Sequence, residues 1–149
     1  MFKRGNRLFT AGSIALLLVA ALHTLGHFAG GPEDPAFTSV VNAMRGYSVD
    51  LGLGMRPSMR DIHVSLVLTM TIFLVFLGIQ NLVTLTLAPE AKQLLRALAL
   101  INFLCAGALA ILYAAYSVPP PLISFAVVGL LFLLAWLSSN RNKKTGLLG

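Results

Sequence analysis

From Ile62 to Ala88 the chain carries no charged residue. A stretch of about 27 residues is long enough to cross a hydrocarbon layer of about 30 Å with some tilt. Inside lipid, each backbone N–H and C=O must find its partner within the protein, so a lone apolar run of this length is read as a helix. Three other apolar runs follow the same logic. The four predict spans at about 8–30, 60–88, 92–117 and 120–138, in one integral membrane domain covering 1–149. The expected fold is all-α: a four-helix transmembrane bundle. Composition agrees, with 57% hydrophobic and 11% charged residues and a mean hydropathy of +0.84. Soluble domains carry about 25% charged residues. The net charge of +6 does not point to nucleic acid, because the basic residues sit at segment ends, where they orient membrane proteins.

The N-terminal run, Leu8 to Gly31, follows Lys3, Arg4 and Arg7. A basic start before an apolar stretch is also the form of a secretory signal. This run is long for such a signal, and Ala20-Ala21 is a poor cleavage site, so it is read as a retained first helix. The connection from Gly31 to Pro57 is the longest polar one. Within it, Asp34-Pro35 has the form of a helix start, an acidic N-cap before a proline at the first helical position. Phe37, Val40, Val41 and Met44 then recur at helical spacing, and Gly46 is placed to stop the turn. These residues predict a short amphipathic helix at the membrane surface. Gly52 and Gly54 allow tight turns in the loop after it.

Ser58 and Asp61 form a capping-box pattern ahead of the second span. Pro89-Glu90 breaks the chain and suits a new helix start. Pro119-Pro120-Pro121 reads as a stiff connection before the fourth run. Trp136 falls near the end of that run, where an amphipathic ring fits the interface. One side of the membrane then holds Lys3, Arg4, Arg7, Lys92, Arg96, Arg141, Lys143 and Lys144 against Glu90 alone. The other holds Arg45, Arg56 and Arg60 against Glu33, Asp34, Asp50 and Asp61. This bias predicts both termini in the cytoplasm.

Lipid gives helices no hydrophobic reason to associate, so small residues mark close packing. Gly26 with Gly30, and Ala106 with Ala110 and Ala114, are the expected contacts. Ser65, Thr69 and Gln80, with Phe73 and Phe76, form a polar stripe expected to face the bundle. Gln80 and Asn81 toward the end of the second span, and Asn102 in the third, carry amides that each prefer a partner in hydrocarbon. The single cysteine, Cys105, excludes an internal disulfide and a CxxC pair and is expected in the core.

His23, His27 and His63 are the histidines of the chain. The first two are four apart on one helix face. The topology puts His63 at a similar depth, beside Asp61. Imidazoles with a carboxylate suit a transition metal, and an imidazole from each of two helices suits a haem. Ionisable groups in a membrane are functional candidates. HxxxH lacks the glutamate of HExxH, and capping or packing explains such histidines equally. Arg60 and Arg56 are candidate contacts for an anion.

LHTLGHF at 22–28, with YSVDLGLGMRPSMRDIHVSLVLTM at 47–70, resembles a family of small bacterial four-helix inner-membrane proteins of uncharacterised function. The resemblance implies a four-helix membrane fold and supplies no activity or catalytic residue. Two readings follow. One is a non-enzymatic subunit or a lipid- or small-molecule-binding accessory protein, in contact with the bilayer and with further copies or another membrane protein. The other is a metal- or haem-dependent enzyme or redox protein, with His23, His27, His63 and Asp61 at the outer ends of spans one and two.

Overall fold

A computed structural model describes residues 2–29 and 34–140, with the side chains of 4–29 and 34–139. Gly30, Glu33, Arg141, Lys143 and Lys144 lie outside the described residues, as does the side chain of Lys3. The chain is all-α. Among the described residues five helices follow one another: α1 (Phe2–Phe28), α2 (Pro35–Gly46), α3 (Met59–Leu87), α4 (Lys92–Ala115) and α5 (Pro119–Asn140). Among the described residues there is no β-strand, only an isolated bridge between Ser48 and Ser58. α1, α3, α4 and α5 are each long and apolar enough to cross a membrane, so the chain has the build of a multi-pass membrane protein.

The helix ends follow local chemistry. The Asp34 carboxylate accepts from the Ala36 amide at 2.9 Å, and Pro35 opens α2. α2 buries none of its side chains, and Phe37 and Val40 stay exposed. Gly52 and Gly54 take φ of 80° and 78°, and Leu53 between them takes 54°. Only a glycine adopts such angles without cost, so two of the three positions suit their residue. At α3 the Ser58 hydroxyl accepts from the Asp61 amide at 3.1 Å, while the Ser58 amide donates to the Asp61 carboxylate at 3.0 Å. That is the reciprocal pair expected of a capping box.

Two starts differ from expectation. Pro89 and Glu90 form a turn, and α4 begins at Lys92 after Ala91, which supplies no side-chain cap. The three prolines are not a connection but the first turn of α5. The first amides of a helix have no intrahelical partner, so prolines lose nothing there. The reversal before them is made by Tyr116 to Val118, with Ser117 at φ 53°.

The described chain divides into two compact units. The first comprises residues 1–19 and 76–149, and the second residues 20–75. In the first, parts of α1 and α3 pack with α4 and α5. Phe125, Val128, Phe132, Phe9, Leu16, Ser13, Leu95, Ala99 and Ala106 are buried. Phe9 meets Phe132 edge-on with ring centroids 5.5 Å apart, and Tyr113 stacks on Phe125 at 5.8 Å. Arg96 lies over the Trp136 ring at 5.4 Å. That contact ties the start of α4 to the end of α5, a role for Trp136 beyond its interfacial one.

Among the described residues, close helix approach occurs at Gly78 and Gly12, which the sequence did not single out. A Cβ on Gly78 would sit 2.6 Å from a Leu17 methyl, and one on Gly12 3.0 Å from the Phe132 ring. A Cβ on Gly26 would meet nothing within 4 Å. On α4 the buried stripe is Leu95, Ala99, Asn102 and Ala106. Ala106 packs where a Gly129 Cβ would point, but Ala110 is only half-buried and Ala114 is exposed. The expected alanine stripe therefore turns out of the interface after Ala106.

Asn81 and Asn102 are both buried and exchange reciprocal amide hydrogen bonds of 3.2 Å. The polar stripe of α3 behaves differently. Ser65, Thr69, Phe73, Phe76 and Gln80 are all exposed. The Ser65 and Thr69 hydroxyls donate to carbonyls of their own helix, at Ile62 and Ser65. Such a back-bond frees a hydroxyl from needing a neighbour, so the stripe need not face the bundle. Cys105 is also exposed rather than in the core.

Candidate functional site

The second unit holds all three histidines. The end of α1 and the start of α3 run antiparallel there, and the Thr24 and Thr71 hydroxyls meet at 3.1 Å. Sequence reasoning missed this contact. Its signal was available: both threonines interrupt apolar runs on helices that the topology makes neighbours. Each hydroxyl also has a carbonyl of its own helix within reach, Ala20 at 2.9 Å and Val67 at 3.3 Å, so one hydroxyl donates back while the other donates across.

Toward the α2 side of these helices, His27 and His63 lie side by side. Their ring centroids are 6.0 Å apart, tilted by 49°. His27 also meets Phe28 edge-on at 5.1 Å. Arg60, His63 and His23 all lie within electrostatic range of His27. Arg60 precedes His63 by three residues on α3, so the two share a helix face. The Nε2 of His23 is buried with no hydrogen-bond partner among the described residues. A buried polar atom left unpaired is uncommon and marks a place where a donor or acceptor is missing.

The described acids of this unit, Asp34, Asp50 and Asp61, are committed elsewhere. Asp34 caps α2. Asp50 accepts from the Gly52 amide at 2.9 Å, and from Nε and Nη2 of Arg56 at 3.2 and 3.0 Å. Arg56, an expected anion contact, is thus paired within its own exposed loop. Asp61, an expected metal ligand, instead caps α3: its Oδ2 accepts from both the Ser58 amide and the Ser58 hydroxyl. Among the described residues no three His, Cys, Asp or Glu side chains are grouped so as to hold a metal ion. His27 and His63 come together, and the expected set of four does not.

What remains is an unbalanced group. Two adjacent imidazoles, a third nearby and a guanidinium share one locality. None of the three described acids forms an ion pair with Arg60, although the charges of Asp61 and Arg60 act on one another. A guanidinium stays charged at any working pH and presents several donors. Neutral imidazoles each add a further donor. The arrangement suits an acceptor-rich anion such as a phosphate or carboxylate group.

Compared with known protein families, curated proteins and solved structures, the chain matches none.

Proposed function

We propose that this chain is a multi-pass membrane protein whose work is binding rather than chemistry. The ligand is anionic, and Arg60 with His27 and His63 holds its charged group. The supporting observation is the 6.0 Å approach of the two imidazoles within range of Arg60, in a unit whose described acids are all engaged elsewhere. The basic residues near the termini support a topology with both ends in the cytoplasm, which puts the cluster on the outer side of a bacterial inner membrane. An acidic phospholipid headgroup and a small free anion share the required chemistry.

One observation favours a second reading, a metal site. Metal–nitrogen bonds of about 2.0–2.1 Å bring two ligating imidazole centroids to about 5–6 Å, close to the spacing found. Electrostatics favours the anion. At about 8 Å and an effective dielectric of about 20, a divalent ion and a guanidinium repel by about 4 kcal/mol, while a monoanion is attracted by about 2 kcal/mol.

Purified protein in nanodiscs separates these readings. Retention of an anionic phospholipid over a zwitterionic one is measured by native mass spectrometry, and inorganic phosphate binding by calorimetry. Arg60→Gln and the double change His27→Gln/His63→Gln should each reduce retention or binding at least about tenfold, the loss of one charge-assisted contact. Equal retention in all three proteins, stoichiometric zinc or copper in the wild type alone, or a Soret band would overturn the anion reading.

A further inference from the structure

In the first unit, Gln80 is a polar side chain set within the charge-free run of α3. Gln80 is exposed on α3, and its side-chain amide has no hydrogen bond to any described residue. Only its backbone carbonyl is used, accepting from Thr84 at 2.8 Å. Its neighbours on that face are Phe76, Val83 and Leu87, at 61%, 48% and 80% exposure. They sit four before, three after and seven after Gln80, so they form one outward stripe.

The depth of this amide follows from the residue beside it. Asn81 pairs with Asn102 of α4, and Asn102 lies ten residues past Lys92, the first residue of α4. At 1.5 Å per residue that is about 15 Å from the helix start, and about 9 Å past Arg96, the last charged residue of α4. Gln80, one residue from Asn81 and seven before Leu87 at the end of α3, therefore lies about 10 Å inside that end, within the hydrocarbon rather than at its centre. Hydroxyls at this level solve the problem locally: half-buried Thr84 and exposed Thr86 donate to the carbonyls of Gln80 and Leu82. A glutamine amide has two donors and an acceptor and no such bond is made here. A lipid tail offers none.

We infer that this stripe is where two copies of the chain meet, with the Gln80 amides of the two copies hydrogen-bonded to each other. A primary amide is self-complementary. Across a two-fold axis, each copy's amide donates to the other's oxygen, as Asn81 and Asn102 already do between helices of one chain. A two-fold interface repeats the same patch on both sides, and the patch here needs no second kind of residue. Two copies share one topology, so the axis runs along the membrane normal and the two Gln80 side chains lie at the same depth. No charge between Ile62 and Ala88 opposes the approach. α3 also has the most uncovered surface: 11% of its apolar window is buried, the lowest of the four spans. The face is independent of the histidine cluster and of the function proposed for it.

The test uses the full chain in lipid vesicles, in a Cys105→Ser background because Cys105 is itself exposed. Energy transfer between labelled copies is followed as the protein-to-lipid ratio varies. A saturable dimer curve is expected, and Gln80→Leu should weaken it about 3- to 20-fold, the span of interhelical polar contacts in membranes. Gln80→Asn should keep part of the association. Val83→Cys should cross-link between copies, while Ile111→Cys, 73% exposed on α4, should not. If Gln80→Leu fails to insert, Val83→Trp must abolish association by bulk. Monomers at every ratio, equal cross-linking at Val83 and Ile111, an unchanged Gln80→Leu curve, or association only with a different membrane protein would each overturn the proposal.

Discussion

At Gly78 the fold depends on a side chain that is not there. Leu17 and the Ser13 carbonyl occupy the space a Cβ would need, at 2.6 and 3.2 Å. Gly78→Ala must push Leu17 or the α1 backbone aside, and overpacking of this kind costs about 1–3 kcal/mol. Gly26→Ala meets open space and should instead gain the usual helical advantage of alanine, about 0.5–1 kcal/mol. Unfolding in mixed detergent micelles, followed by circular dichroism, should show the first variant weaker and the second at least as strong as the wild type. The sequence alone suggested the opposite weighting, because Gly26 sits in a GxxxG pair and Gly78 in none. Glycine spacing says which residues are small. It does not say which helix face another helix covers. The histidines show the same limit: their depth was readable from the topology, but Asp61 was drawn away by a cap whose signature lay in the same four residues.

The helices were legible because lipid imposes one rule on every spanning segment, and apolar length reveals it. Their ends were legible where a side chain caps them, at Asp34 and Ser58. Where a turn does the work, at Pro89-Glu90 and at the three prolines, the spans still begin within a residue of the expected 92 and 120, but the residues that make the turn were not the ones expected. α3 shows why its outward face was misjudged. Polar residues were expected to point inward, yet hydroxyls that bond to their own carbonyls can face any direction, and only Asn81 needed the interior. α2 is the element without a packed face: all its side chains remain outside a core. Its apolar side then belongs against the membrane surface. Tryptophan placed at Phe37, in a Trp136→Phe background, should emit in the blue-shifted range and be quenched by lipids brominated near the headgroup. Red-shifted emission without quenching would show α2 standing in water.

Taken whole, the chain exposes far more apolar surface than a soluble monomer tolerates. Leu53 in the loop is 97% exposed, and Ile72 in α3 is 68% exposed. If lipid is the surrounding medium, two such residues meet different solvents despite similar exposure. In water they would be equivalent. The proposed pairing of Gln80 amides rests on that distinction, because it derives its strength from groups that lipid cannot satisfy. Permeabilised membrane vesicles carrying Leu53→Cys or Ile72→Cys, each with Cys105→Ser, can be treated with a charged, membrane-impermeant maleimide. The account predicts rapid labelling at position 53 and none at 72 until the membrane is dissolved and the protein denatured. Equal labelling of both positions in intact bilayers would contradict it.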